Sequence, residues 1–256
     1  MKRIYTISLF TFRELVRTKY LYALVFFALF ILGLGITITQ ATIGSRADII
    51  SDIGLGTIEI FSTLLAIFIG ITIINRELSE KSLLPVLAHP VSRPAYLLGK
   101  FFGMLALILL QMIFMSIIFY ILLMFFKAGD RMPTYIPAIY TIFLQTATIV
   151  SVSIFCSTLI EPVVAAMITI SYYIVGATSY NLIHFFQYKA SETTREIVTV
   201  LRYLLPDFSY FNIKDNLVYG RGLEDINLYF ATIYALCIII LMISAATLFF
   251  NSKELT

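Results

Sequence analysis

The fold class this sequence predicts is an all-α polytopic membrane protein with six transmembrane helices. Three observations carry that expectation. Apolar residues fill 60% of the 256 positions and charged residues only 13%, about half the roughly 25% typical of a soluble domain. Mean hydropathy is +0.93. The charges that remain stand at the ends of long uncharged runs, and five of these runs exceed the roughly 20 residues that cross ~30 Å of hydrocarbon at 1.5 Å per residue.

Those runs place the helices in order. Lys19 and Arg46 bound 26 uncharged residues, Lys100 and Lys127 another 26, Arg131 and Glu161 29, Glu161 and Lys189 27, and Asp225 and Lys253 27. A shorter run from Phe61 to Asn75 reaches spanning length once Glu59 and a turn at Gly54–Gly56 lie at the far interface. The expected spans are Tyr20–Ile38, Gly56–Ile74, Phe101–Phe126, Ile136–Leu159, Val163–Phe185 and Tyr229–Phe250. Between Arg131 and Lys189 a stretch of 57 residues holds one charge, too long for one span. Glu161-Pro162 is therefore a tight turnaround, with the proline opening the next helix.

Three pieces do not span. Residues 1–19 set Ile4, Ile7, Leu9, Phe12, Leu15 and Val16 against Arg3, Arg13, Glu14 and Arg17 at helical spacing. This reads as an amphipathic helix lying in the membrane interface before the first span, with a short soluble helix as the alternative. Residues 76–100 form the longest excursion between spans on one side. Residues 186–228 form the longest on the other; there the amphipathic stretch Thr194–Leu205 and then Pro206-Asp207 suggest one or two short helices capping the outer mouth.

Six spans put both ends on one side. That side carries Lys2, Arg3, Arg13, Arg17, Lys19, Arg76, Lys81, Arg93, Lys100 and Lys253. The two short loops opposite carry only Arg46, Lys127 and Arg131, so the ends are cytoplasmic and the chain belongs in the cell membrane. Arg13, Glu14, Arg17 and Lys19 interrupt any signal-peptide core. A net charge of +3 without a basic patch gives no nucleic-acid footprint. Cys156 and Cys237 both lie in apolar runs and read as small buried hydrophobes rather than a disulfide or metal pair.

The segment Arg76-Glu77-Leu78-Ser79-Glu80-Lys81-Ser82-Leu83-Leu84-Pro85-Val86-Leu87 opens with a charged turn and continues as an apolar cluster. Ala88-His89-Pro90-Val91-Ser92-Arg93 and then Leu98-Gly99-Lys100 return the chain to the membrane. Apolar knobs outside the membrane need burial, against the bilayer surface or against another protein, and physics alone leaves both open.

Arg76-Glu77, Leu83, Leu87, Pro90-Val91-Ser92-Arg93 and Leu98-Gly99-Lys100 resemble the pattern R-E-x-x-x-x-T-L-x-x-L-L-S-R-P-V-S-R-x-x-x-L-x-G-K of ABC-2-type transporter permeases, the membrane subunits of ABC exporters. The chain is also similar to the branch of permeases that serves nitrous-oxide-reductase maturation. Ser82 departs from the usual threonine, His89 from arginine, and Pro85 interrupts what the pattern makes a helix. The resemblance implies that this segment is a coupling helix. Glu77, Leu78, Lys81, Ser82, Leu83, Leu84, Leu87, Pro90, Val91, Ser92 and Arg93 would then contact a separate ATP-binding subunit. It implies two such ATPase subunits, which hold the ATP and Mg, and a second copy of this chain in a homodimer. It leaves room for an extracytoplasmic accessory protein. The chain itself lacks a G-x-x-x-x-G-K-[ST] phosphate loop, so it is expected to carry no cofactor and no ATPase activity of its own. A membrane-anchored scaffold that binds a cytoplasmic partner without transport is the alternative.

Within the spans, Glu59 reads as an interface residue in preference to a pathway group, since an acid inside hydrocarbon is costly. Gln111 and Gln145 lie deeper and are expected to make interhelical hydrogen bonds in preference to touching substrate. Met104, Met112, Met115 and Met124 share one span; soft thioethers suit copper(I), but packing methionine is far commoner and no metal site is assigned. His184 has no neighbouring ligand pattern, and no catalytic constellation is present.

The orientation is testable by cysteine labelling of intact cells. A cysteine placed near Lys189 should react with an impermeant reagent from outside, and one at Ser92 should not; the reverse pattern would overturn the topology.

Overall fold

A computed structural model describes residues 2–17, 46–79, 92–126, 129–189, 205–218 and 228–252, together with Phe26, Leu29 and Gly33, each of which is helical. All regular structure among the described residues is helical. In chain order the elements are α1 (Lys2–Val16), α2 (Arg46–Ser79), α3 (Arg93–Phe125), a 3₁₀ turn (Gly129–Arg131), α4 (Met132–Leu159), α5 (Pro162–Lys189), a 3₁₀ turn (Phe208–Tyr210), α6 (Lys214–Val218) and α7 (Leu228–Ser252).

Five of these contain stretches long and apolar enough to cross a membrane: Asp48–Ile73, Arg93–Phe125, Met132–Leu159, Pro162–Ser179 and Leu228–Phe250. They overlap five of the six expected spans. The expected first span, Tyr20–Ile38, lies outside the described residues apart from Phe26, Leu29 and Gly33. The turnaround is as expected: α4 ends at Leu159 and Pro162 opens α5.

Two boundaries differ from the sequence reading. Gly54 and Gly56 do not form a turn; α2 runs through both from Arg46. A Cβ on Gly54 would collide with the Phe119 ring of α3, 2.3 Å away, so this glycine admits a neighbouring helix and does not end its own. At 34 residues α2 is about 51 Å long, longer than the ~30 Å of hydrocarbon a span must cross. The second difference is at α3, which begins at Arg93 and not near Phe101. Pro94 stands in its first turn, where a missing N–H costs nothing.

Helix α4 is the most buried span, and α5 and α7 are the least. It packs against α2, α3, α5 and α7. Its buried face is rich in small hydroxyl residues, which bond to their own helix. Thr141 donates to Ala138 O at 3.0 Å, Thr146 to Ile142 O at 2.7 Å, Thr148 to Gln145 O at 2.7 Å and Ser151 to Thr148 O at 2.7 Å. Polar atoms are thereby satisfied without a partner helix, leaving a smooth surface for close approach. Gly70 of α2 uses it: Ser157 Oγ reaches the Gly70 carbonyl at 3.3 Å, and a Cβ on Gly70 would overlap Ser153 Oγ.

Helix α3 is apolar on both sides. Leu97, Met104, Leu107, Met115 and Phe119 face the bundle, while Phe102, Leu109, Ile113, Ile117, Ile121 and Met124 are exposed. In water such a stripe would drive aggregation; in lipid it is the ordinary outer face of a span.

Helix α1 lies along α3. Ile7 and Thr11 fit over Gly99 and Gly103, where an added Cβ would stand 2.7 Å from the Cβ of Ile7 and of Thr11 respectively. Gly99 and Gly103 form a small-xxx-small seam that lets the two backbones meet. Tyr5 and Phe10 turn outward, 70% and 66% exposed. The arginine-bearing side is also away from α3, with Arg13 exposed.

Gly103→Leu should pry α1 from α3, since overpacking costs about 1–3 kcal/mol and here meets backbone. Amide hydrogen exchange across residues 2–16 should rise sharply while that of α4 stays protected. Unchanged protection of residues 2–16 would show that the seam does not hold α1.

Candidate functional site

Contacts fix which parts share an end of the bundle. Gly54, near the start of α2, sits against Phe119 near the end of α3. Gly70, near the end of α2, meets Ser157 near the end of α4. Arg93, at the start of α3, donates to the Phe250 carbonyl near the end of α7. The end of α2, the start of α3, helix α1 and the end of α7 therefore gather at one end. The segment 205–218 lies at the other.

The first end carries an alternating stack of cations and rings. The guanidinium of Arg93 lies 5.6 Å from the Phe250 ring centroid while bonding the Phe250 carbonyl. An arginine there satisfies a carbonyl that a helix end leaves open and complements the helix dipole. Phe250 stacks on Tyr96 at 6.2 Å and 12°. Lys100, only 2% exposed, lies 5.8 Å from the Tyr96 centroid and 3.9 Å from Glu14 of α1. Three helices are joined here through residues of the first two turns of α3.

The residues assigned to the coupling segment divide around this stack. Glu77 and Leu78 lie in the last turns of α2. Lys81, Ser82, Leu83, Leu84, Leu87, Pro90 and Val91 lie outside the described residues. Ser92 is the N-cap of α3, and its carbonyl accepts the Tyr96 N–H at 3.1 Å. Arg93 is engaged within the chain by Phe250.

A second polar assembly stands near the opposite end. Glu59 of α2 accepts from Gln145 Nε2 of α4 at 3.1 Å and from Lys214 Nζ of α6 at 2.5 Å. The side chains of Glu59 and Lys214 are 14% and 23% exposed. The Glu59 acid is the point where two spans and the 205–218 segment meet. The expectation for Gln145 holds, since its bond is interhelical. Gln111 departs from it. Its Nε2 donates to Met115 Sδ of the same helix at 3.0 Å, because a residue four positions on faces the same side. Met104, Met112 and Met115 are buried in the core, and Met124 is exposed.

Sequence reasoning missed Lys214, one of five basic residues in a long loop. It also missed the seating of that loop. Phe208 packs against Gly176, where an added Cβ would stand 2.9 Å from the ring. Tyr172 meets Phe208 edge-on at 5.6 Å, and Ser179 donates to Pro206 O at 2.9 Å. Phe208, Phe211, Ile213, Leu217 and Val218 are all buried. The amphipathic stretch Thr194–Leu205 lies outside the described residues apart from Leu205; after it come the 3₁₀ turn Phe208–Tyr210 and α6, held by an aromatic plug.

Comparison with known proteins finds a family model, described as "ABC-2 family transporter protein", that matches residues 5–255 of the chain. No curated protein matches it.

The Glu59 assembly predicts non-additive energetics. Lys214→Met should destabilise the detergent-solubilised protein by about 3 kcal/mol, because it strands a largely buried acid. Glu59→Gln combined with Lys214→Met should recover much of that loss in a thermal melt. Simple addition of the two single effects would show that the groups do not act as a pair.

Proposed function

Because the chain belongs to the ABC-2 transporter family, we propose that it is the permease subunit of an exporter, working as a homodimer with two copies of a separate ATP-binding subunit. Family membership makes it a membrane component of transport. The direction, the dimer and the motor are the further steps of this reading.

One observation carries it. The chain leaves the bundle at the end of α2 and re-enters at Arg93 on the same end, beside α1 and the end of α7. A partner that pulls on residues 80–91 therefore acts on α2 and α3 directly. Through Arg93–Phe250 and Lys100–Glu14 it also acts on α7 and α1. An end of the bundle at which α3 is joined to α1 and α7 suits the transmission of a movement. It is more elaborate than the tether a passive scaffold needs, and nothing favours that scaffold.

The six-span topology has support of the same kind. Helix α1 lies at the Arg93 end, whereas α2 starts beside Phe119 at the far end. Residues 18–45 must join the two, and an odd number of crossings between them gives both chain ends one side. With α1 and the end of α7 together, the excess of Lys and Arg on that side makes it cytoplasmic. The less buried α5 and α7 and the apolar outer stripe of α3 offer surface to lipid and to a second copy, and closed twofold pairing is the common solution for such subunits.

The decisive experiment targets the apolar cluster. Leu83 and Leu87 changed together to Asp should remove several kcal/mol from a docked interface, at roughly 1.5–3 kcal/mol per buried leucine before the cost of buried charge. The variant should insert normally, purify without ATPase subunit and fail to transport. Retention of a full complement of ATPase subunits would overturn the coupling role of this segment and favour its burial against the bilayer.

A further inference from the structure

At the end of the bundle away from α1, a cleft of 590 Å³ separates the 205–210 strap from the first turns of α7. One side is aromatic. The Tyr210 and Tyr234 rings meet at 5.5 Å and 47°, forming a corner, and Phe230 stands one turn before Tyr234 on the same face of α7. The other side carries Asp207. Its Oδ1 accepts the Ser209 N–H at 2.9 Å, and its own N–H donates to Tyr234 Oη at 3.0 Å. These two bonds fix the carboxylate at the cleft, and its second oxygen has no partner among the described residues. Among the described residues Asp207 makes no ion pair.

A carboxylate beside a corner of ring faces attracts a cation and repels an anion. The kind of cation follows from the donors. Calcium and magnesium need about six oxygen ligands, and the cleft offers one carboxylate and two phenol oxygens. An alkylammonium is weakly hydrated and is held by ring faces. The cleft also opens, past Phe230 and Ile233, onto the exposed apolar side of α7, where Leu236, Ile240 and Leu241 continue toward the middle of the span. A hydrocarbon chain attached to the ammonium would lie along that side without leaving lipid.

We propose that this cleft binds the ammonium head of a cationic or zwitterionic membrane amphiphile, with Asp207 as the counter-charge, Tyr210, Phe230 and Tyr234 as the ring walls, and the tail along α7. The site requires only that α7 spans the membrane; it does not depend on the ATPase partner, so its test stands apart from that of the coupling segment.

The test is equilibrium dialysis of radiolabelled dodecyltrimethylammonium against the full-length chain in uncharged maltoside micelles. Binding should be saturable above the partition into empty micelles. Unlabelled dodecyltrimethylammonium should displace it, and neither dodecanol nor dodecyl sulfate should do so. Asp207→Asn keeps an acceptor for the Ser209 N–H but removes the charge, and should weaken binding at least about 10-fold. Tyr210→Leu should weaken it roughly 3- to 10-fold. Displacement by phosphatidylethanolamine but not by phosphatidylglycerol identifies a resident lipid as the occupant; displacement by single-chain ammonium amphiphiles alone identifies a transient one. Equal displacement by dodecanol, or an unchanged affinity in Asp207→Asn, reduces the effect to tail partition and overturns the proposal.

Discussion

In hydrocarbon a leucine gains little by exchanging lipid for another leucine, so helices hold together only where their backbones come close enough for dense contact. The whole bundle depends on that closeness. Gly70 admits Ser153, Gly54 admits Phe119, Gly99 and Gly103 admit α1, and Gly176 admits Phe208. Each notch receives an element from a distant part of the chain. Helix α4 is the common neighbour because its inner face is made of small hydroxyl residues bonded to their own carbonyls. It has the polarity of a pathway lining and the behaviour of a packing surface.

Charge is used sparingly against this background. The two assemblies of ionisable groups stand near opposite ends of the bundle, and each joins elements that the apolar contacts alone would leave in loose register. Lys100 and Arg93 settle how α1 and α7 meet α3. Glu59 settles how the 205–218 segment meets α2 and α4. Between them lies a region with hydroxyls but few charges, across which α2 and α4 run side by side.

Much of this was legible in the sequence. Uncharged runs located five described spans, Glu161-Pro162 located a turn, and the apolar spacing of Ile4, Ile7 and Leu15 located α1. What was not legible depends on partners far along the chain. Gly54 and Gly56 look like a turn, yet both are helical, and at Gly54 the missing side chain makes room for the ring of Phe119. Gln111 and Gln145 look alike in sequence; one faces Met115 on its own helix and the other faces Glu59. Arg93 fits a docking motif and is also a cap for α7, since its acceptor is a main-chain oxygen that leaves no trace in side-chain pattern. An acid inside an apolar run announces that it needs a partner, but does not say which of several lysines and arginines provides it.

The union of Glu59 with Lys214 imposes an order on biogenesis. Lys214 follows Glu59 by 155 residues, and at 5–20 residues per second it emerges roughly 8–30 s later. Gln145, 86 residues behind Glu59, arrives after roughly 4–17 s. Until Gln145 is made the nascent α2 carries an acid with neither partner, and from then until Lys214 is made it has an amide but no ammonium. The lowest-cost place for that acid is the headgroup layer, which draws α2 toward one surface of the bilayer until the later segment is made. The pairing of α2 with the 205–218 segment therefore completes only after residues 205–218 are made.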